Sequence, residues 1–272
     1  MTETWILLRG LTRERRHWGE FPATFREALP DARAIALDLP GNGELNGLAS
    51  PLTVDGYAAR LRAELARRGI APPYHLLAMS LGAMVAVAWS VRHPQEIRAC
   101  VLINTSLRPF SPFYRRLVPA NYATLAMLGR PGSDAALCER HILRITTRLA
   151  ASPDAIIREW VRYRRERPVS AANALRQLIA AARYRVPAAP PVPPVLLLAG
   201  RRDALVDPRC SRDIARHWPC RLVEHPCAGH DLPLDDGPWV ARQVRDWLGS
   251  AGAHAAATPP TAAVATEAGA YR

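Results

Sequence analysis

Short apolar runs alternate with amphipathic segments along the first hundred residues. Thr4 to Leu8 is an apolar run of strand length, and Trp18 to Leu29 reads as a helix ended by Pro30. Arg33 to Leu37 is a second run, closed by the turn-forming string Asp38-Leu39-Pro40-Gly41-Asn42-Gly43. Thr53 opens an amphipathic helix with Tyr57, Leu61 and Leu65 at helical spacing. Tyr74 to Met79 is a third run, Leu81 to Val91 a helix rich in small residues, and Arg98 to Ile103 a fourth run. Strands bracketing helices in this order predict βαβ units and a mostly parallel sheet, an α/β fold.

From Ser106 to Arg185 the pattern changes to helical segments dense in arginine, over Ala135 to Arg148, Pro153 to Arg165 and Ala171 to Arg183. The proline-rich stretch Val186 to Pro194 ends them as a stiff linker. Strand character returns at Val195 to Ala199 and Arg221 to Glu224, followed by a helix over Pro238 to Leu248. The expected organisation is a core made of 1–105 and 186–249 with a helical block at 106–185 inserted into it. Residues 250–272, rich in Ala, Thr and Pro, read as a disordered tail.

Composition narrows the class. A 272-residue chain with 49% hydrophobic residues can bury a sizeable core. The run Trp5-Ile6-Leu7-Leu8 is interrupted at Arg9, too short for a membrane span, and the N-terminus lacks a secretory pattern, so a cytoplasmic location is expected. The five cysteines form no CxxC pair and no cluster with zinc spacing; reduced thiols are expected, and neither metal nor organic cofactor. All 36 basic residues are arginine, and the formal net charge of +12 attracts anions. No basic cluster interleaves with aromatics, so nucleic acid is not an expected partner.

The chemistry concentrates at Ala78-Met79-Ser80-Leu81-Gly82, where a strand, a tight turn and a helix follow one another. Such a turn exposes its serine at the carboxyl end of a sheet, beside a helix N-terminus that favours negative charge. A serine hydroxyl needs a base, and the base needs an orienting acid. After later strands come Arg201-Arg202-Asp203-Ala204-Leu205-Val206-Asp207-Pro208 and Pro226-Cys227-Ala228-Gly229-His230-Asp231. Asp203 is the preferred acid, with Asp207 as rival expected instead to cap the helix opened by Pro208. His230 is the preferred base over His225, which sits at the end of a strand before the turn. His17 and the remaining histidines read as surface or packing residues.

With these motifs, Thr4 to about Gly249 resembles the α/β-hydrolase superfamily, in particular its lidded esterase-like members. The Asp38 to Gly43 string is similar to the family's turn after the second strand. The resemblance implies an oxyanion hole made by the backbone N–H groups of Leu11 and Leu81, worth roughly 3 kcal/mol each. It also places Trp18 at an aromatic position that starts the first helix. The family usually has His-Gly after the first strand; Arg9-Gly10 stands here. Arg9 is read as a structural ion-pair partner, with anchoring of an anionic substrate group as the alternative. The inserted helices read as a lid. Phe110, Phe113, Tyr114, Leu125, Met127, Trp160 and Tyr163 are candidates for an acyl pocket, of which Phe113 and Trp160 join Arg9 and Trp18 as candidate substrate-binding residues.

The expected function is cleavage of a small-molecule carboxylic ester through an acyl-enzyme formed on Ser80. Three alternatives stay open. One is a thioesterase or acyltransferase acting on acyl-coenzyme A or on an acidic acyl-carrier protein docked by lid arginines (Arg115, Arg116, Arg162, Arg164, Arg165, Arg167). The second is a cofactor-free haloperoxidase or carbon–carbon bond hydrolase with the same triad. The third is a catalytically inactive binding protein on this scaffold.

Overall fold

The computed structural model describes the backbone of residues 2–128 and 132–257, and their side chains except at 124, 127, 128 and 251–257. In chain order the elements are β1 (Glu3–Leu8), α1 (Phe21–Ala28), β2 (Ala32–Leu37), α2 (Val54–Arg67), β3 (Tyr74–Met79), α3 (Leu81–Arg92) and β4 (Ile97–Ile103). There follow α4 (Phe113–Arg116), α5 (Tyr122–Leu128), α6 (Ala135–Thr146), α7 (Pro153–Glu166) and α8 (Ala171–Arg183). β5 (Val195–Gly200), α9 (Arg209–His217), β6 (Arg221–His225) and α10 (Leu232–Ala257) complete the chain.

The six strands form one parallel sheet in the order β2-β1-β3-β4-β5-β6. The chain runs from β1 outward to β2, then returns to lay β3 on the other side of β1. The connections leaving β1 and β3 therefore diverge, and open α/β sheets bind ligands in the crevice at such a point. Gly10 and Ser80 stand there.

Side-chain alternation splits the core into two layers. Ile6, Leu8, Leu76, Ala78, Leu102 and Leu197 face α2, α3 and α9. Trp5, Leu7, Leu77, Met79, Val101 and Leu198 face α1 and α10. Because both faces are covered, the strands read as continuous apolar runs, which is why they were legible. α3 is buried over Leu81 to Ser90, and its small residues permit that depth. A Cβ on Gly82 would lie 2.5 Å from the Arg9 carbonyl oxygen, so only glycine lets the helix start against β1.

Two elements differ from the sequence reading. The segment from Trp18 to Leu29 divides into a 3-10 turn over Arg15–Trp18 and α1, because Gly19 takes φ +51° and Pro22 favours a new helix start. The segment from Pro238 is the second limb of α10, which kinks at Asp236 and begins at Leu232. That helix also continues to Ala257, past the expected start of the tail; residues 258–272 lie outside the described residues.

Helices α4–α8 all fall between β4 and β5. A bridge between Arg108 and Arg185, with the Val186 N–H donating to the Arg108 carbonyl at 2.8 Å, brings the two ends of this block together. The block has a small core of its own: Leu143, Ile157, Trp160 and Tyr163. Among the described residues, no helix is long and apolar enough to cross a membrane.

Candidate active site

A cavity of about 490 Å³ lies between the strand ends and the inserted helices. Arg9, Gly10, Leu11, Ser80, Leu81, Asn104 and His230 contribute from the sheet side. Leu125, Ile142, Ile145, Tyr163, Val169 and Leu178 contribute from α5–α8 and their connections. Most of the exposed wall is apolar, and charged residues such as Arg13, Glu139 and Arg164 interrupt it.

Ser80 joins β3 to α3 with φ +54° and ψ −120°, outside the regions that a residue with a Cβ normally occupies. Such a conformation persists only where surroundings hold it. Here the Ser80 N–H donates to the Ile103 carbonyl at 3.0 Å, and Thr105 Oγ1 donates to the Ser80 carbonyl at 3.1 Å. A Cβ on Gly10 would sit 3.0 Å from Ser80 Cβ, so the absence of a side chain there leaves room for the serine. Leu81 is the first residue of α3, and first-turn amides have no partner within their own helix.

His230 and Asp203 meet as the sequence order suggests. His230 Nδ1 lies 2.7 Å from Asp203 Oδ2, and both side chains are almost fully buried. Asp203 Oδ1 accepts from the amides of Leu205 and Val206 at 2.8 and 2.9 Å. A carboxylate oxygen accepts, so the ring Nδ1–H is the donor in this bond. The rivals are occupied elsewhere. Asp207 accepts from the Arg209 amide and guanidinium. His225 Nδ1 accepts from the amides of Cys227 and Ala228, and its Nε2 faces Asp236.

The loop carrying His230 is tied down by residues that the sequence reading did not single out. Asn104, which follows β4 at φ +46°, donates from Nδ2 to the carbonyls of Gly229 and His230 at 3.0 and 2.7 Å. Its Oδ1 accepts from Gly200 N–H at 2.9 Å, so one side chain links the strand leading to Asp203 with the loop bearing His230. A polar residue directly after a buried strand was the available signal. The Asp231 amide donates to the Thr146 carbonyl of α6 at 2.7 Å, and Asp235 accepts from the amides of Gly229, Arg148 and Leu149. The inserted block therefore touches the histidine loop directly.

The substrate-binding candidates need correction. Arg9 lines the cavity, yet both its terminal nitrogens bond Asp231, at 3.1 and 2.6 Å, and the pair is buried. Its charge is committed to a carboxylate, leaving a structural ion pair rather than an anion anchor. Trp18 is buried against Phe21 and under the Arg9 guanidinium, off the cavity wall. Trp160 belongs to the small core of the block, with Arg13 over its ring at 4.3 Å. Phe113 is 73% exposed and does not line the cavity. A short helix at the surface has no neighbouring layer to bury its aromatic residues. Leu125 and Tyr163 do line the cavity; the side chain of Met127 lies outside the described residues.

Three of the arginines expected on the surface of the inserted block, Arg116, Arg164 and Arg167, line the cavity. Glu139, buried in the cavity wall, binds Arg13 at 2.7 Å and Arg164 at 3.2 Å. Arg116 donates to the Ala181 carbonyl of α8. His17, read as a surface or packing residue, also lines the cavity: its Nε2 accepts from Arg13 at 2.9 Å. Burial, reinforced by the charges of Arg13 and Arg9, holds its pKa well below the usual 6.5. The unfolded chain then takes up a proton below pH 6.5 that the folded protein refuses, so stability falls as the pH drops through that window. The expected slope is up to about 1.4 kcal/mol per pH unit for this group. Denaturant titrations between pH 7.5 and 5 should show it, and His17→Gln should flatten the profile; His75, also held low by burial, contributes with the same sign.

Sheet order, elbow and histidine loop together define the class. Residues 6–237 match the family model described as the alpha/beta hydrolase fold, and the chain belongs to that family. It is 28% identical over 247 residues to the pimeloyl-[acyl-carrier protein] methyl ester esterase of Neisseria meningitidis, covering 85% of this chain and 90% of that one. Among solved structures it is similar to a thermophilic esterase from Thermogutta terrifontis, with TM-score 0.69 and 23% identity, covering 92% and 90% of the two chains. It is likewise similar to the enol-lactonase from Burkholderia xenovorans, with TM-score 0.73 and 19% identity, covering 92% of each. At these identities the structural likenesses establish the fold.

Proposed function

We propose that this α/β-hydrolase is a serine hydrolase that cleaves carboxylic esters through an acyl-enzyme. Ser80 Oγ attacks the ester carbonyl while His230 Nε2 takes its proton. Asp203 holds the imidazole in the tautomer that leaves Nε2 free, and stabilises the imidazolium once formed. The backbone amides of Leu11 and Leu81 donate to the developing oxyanion. Collapse breaks the ester bond, and His230 returns the proton to the departing alcohol. A water molecule deprotonated by the same nitrogen then attacks the acyl-enzyme, releasing the acid and restoring Ser80. The 106–185 block acts as a lid, and its apolar cavity wall receives the acyl chain.

The observation that carries this reading is the buried 2.7 Å bond between His230 and Asp203, in a loop that opens on the same cavity as Ser80. A fluorophosphonate probe tests it. Mass spectrometry should find the phosphonyl group on the peptide containing Ser80. Folded protein that remains unlabelled would put the inactive binding protein first.

A second reading is favoured by the relative from Neisseria meningitidis: the ester is presented on an acidic carrier protein. Arg140, Arg144, Arg158, Arg162 and Arg165 are exposed on α6 and α7, beside the cavity, and present the positive face such a partner needs. Comparing turnover of the same methyl ester free and carrier-bound, at low and high salt, separates the two readings.

A further inference from the structure

The turn that presents the Leu11 amide is held from the inserted helices as well as from the sheet. Thr12, the next residue, has φ +55°, a left-handed conformation that a β-branched residue keeps only under constraint. Its N–H donates to Gln177 Oε1 at 2.8 Å. Gln177 lies within α8 and is completely buried. Its Nε2 donates to Asn42 Oδ1 at 2.7 Å and to Ser50 Oγ at 3.3 Å. Asn42 Nδ2 in turn donates to the Arg13 carbonyl at 3.0 Å.

The orientation of both amides follows from this chain of bonds. A carbonyl only accepts, so Asn42 presents its NH2 to Arg13 and its oxygen to Gln177. Gln177 must answer with its own NH2, which leaves Oε1 for the Thr12 amide. Residues 12 and 13 are thus clamped directly after Leu11, one by Gln177 and the other by Asn42. A buried glutamine is costly unless every bond is made, and here its bonds converge on the turn.

We propose that Gln177 is a positioning residue for the oxyanion hole, so that a helix of the inserted block sets where the Leu11 N–H points. The inference rests on the serine-hydrolase reading. It means that one side chain of the inserted block, through its bond to the Thr12 N–H, helps to place an oxyanion donor of the sheet.

The test compares the full-length wild type with Gln177→Leu and Asn173→Ala. Asn173 lies one turn earlier on α8 and ties it to the 46–50 segment through Ser50 N–H and the carbonyls of Asn46 and Leu48, without touching residues 12 or 13. Gln177→Leu keeps the volume and removes the acceptor. Its kcat should fall on the order of 10- to 100-fold with KM within about twofold, since a displaced oxyanion donor acts on the transition state. Inhibition by a trifluoromethyl ketone, whose adduct oxygen occupies the hole, should weaken by a similar factor. Asn173→Ala should lower Tm with kcat within about twofold of wild type, the loosened helix alone leaving transition-state binding in place. Unchanged kcat in Gln177→Leu, or an equal loss in Asn173→Ala, would overturn the proposal. Should Gln177→Leu not fold, Asn42→Ala releases the same clamp without adding an apolar group. A kcat loss at steady KM supports the proposal, and an unchanged kcat overturns it. Wild type that is not labelled at Ser80 marks failure of the hydrolase reading itself. Labelled wild type with an unaffected Gln177→Leu marks failure of this inference alone.

Discussion

Ser80→Ala is expected to lower kcat by about 10⁶-fold, roughly 8 kcal/mol of transition-state stabilisation, while the fold is retained. On the proposed reading the size follows from the unit character of the site: without a nucleophile, the base and its acid would have nothing to activate. Residual turnover would come from the oxyanion amides and from binding, which do not need the serine. The measurement is hydrolysis of an activated ester such as a p-nitrophenyl acyl ester, with near-ultraviolet circular dichroism as the check on packing. Since alanine fits the space of serine and inherits its backbone angle, no large change in Tm should accompany the loss. A variant keeping more than a few per cent of the activity would remove Ser80 from the mechanism.

Arg9→Met should produce the largest loss of stability, about 3–5 kcal/mol, because it leaves Asp231 as a buried, unpaired carboxylate. For a chain of this size that corresponds to a Tm lower by roughly 6–20 °C. The pair joins the end of β1 to the residue after His230, so activity should fall too as the histidine loop relaxes. Arg9→Met combined with Asp231→Leu should recover most of the stability, since a buried ion pair often gives no advantage over apolar residues of similar volume. A single variant within about 1 kcal/mol of wild type would show the pair to be energetically idle.

The core strands and the elbow were legible because their signals are local. A parallel sheet covered on both faces writes each strand as an unbroken apolar run. The close approach of α3 to β1 requires the small residues Ala78 and Gly82 around Ser80. Asp203 and His230 followed from chain order, each directly after a strand. The helices of the inserted block were also readable from their amphipathic spacing, yet their inward faces were not.

Trp18, Phe113 and Trp160 show the limit. An aromatic residue at helical spacing is equally consistent with a cavity wall, a private core or an exposed surface. Only docking decides, placing Trp18 under Arg9, Trp160 in the small core of the block, and Phe113 in solvent. His17 was passed over for a similar reason: nothing nearby in the chain reveals what surrounds it.

The sequence by itself determined the fold class, the order of the strands along the chain and the identity of the serine, acid and base candidates, since each depends on neighbours within a few residues. The tertiary structure alone decided that Arg9 closes on Asp231, 222 positions away, and that Gln177 reaches Thr12 across 165 positions. The first joins two loops at the carboxyl end of the sheet, and the second arises from how α8 settles against the turn after β1. Hydrogen bonds and ion pairs between distant segments leave no periodicity in the chain for a reader to find.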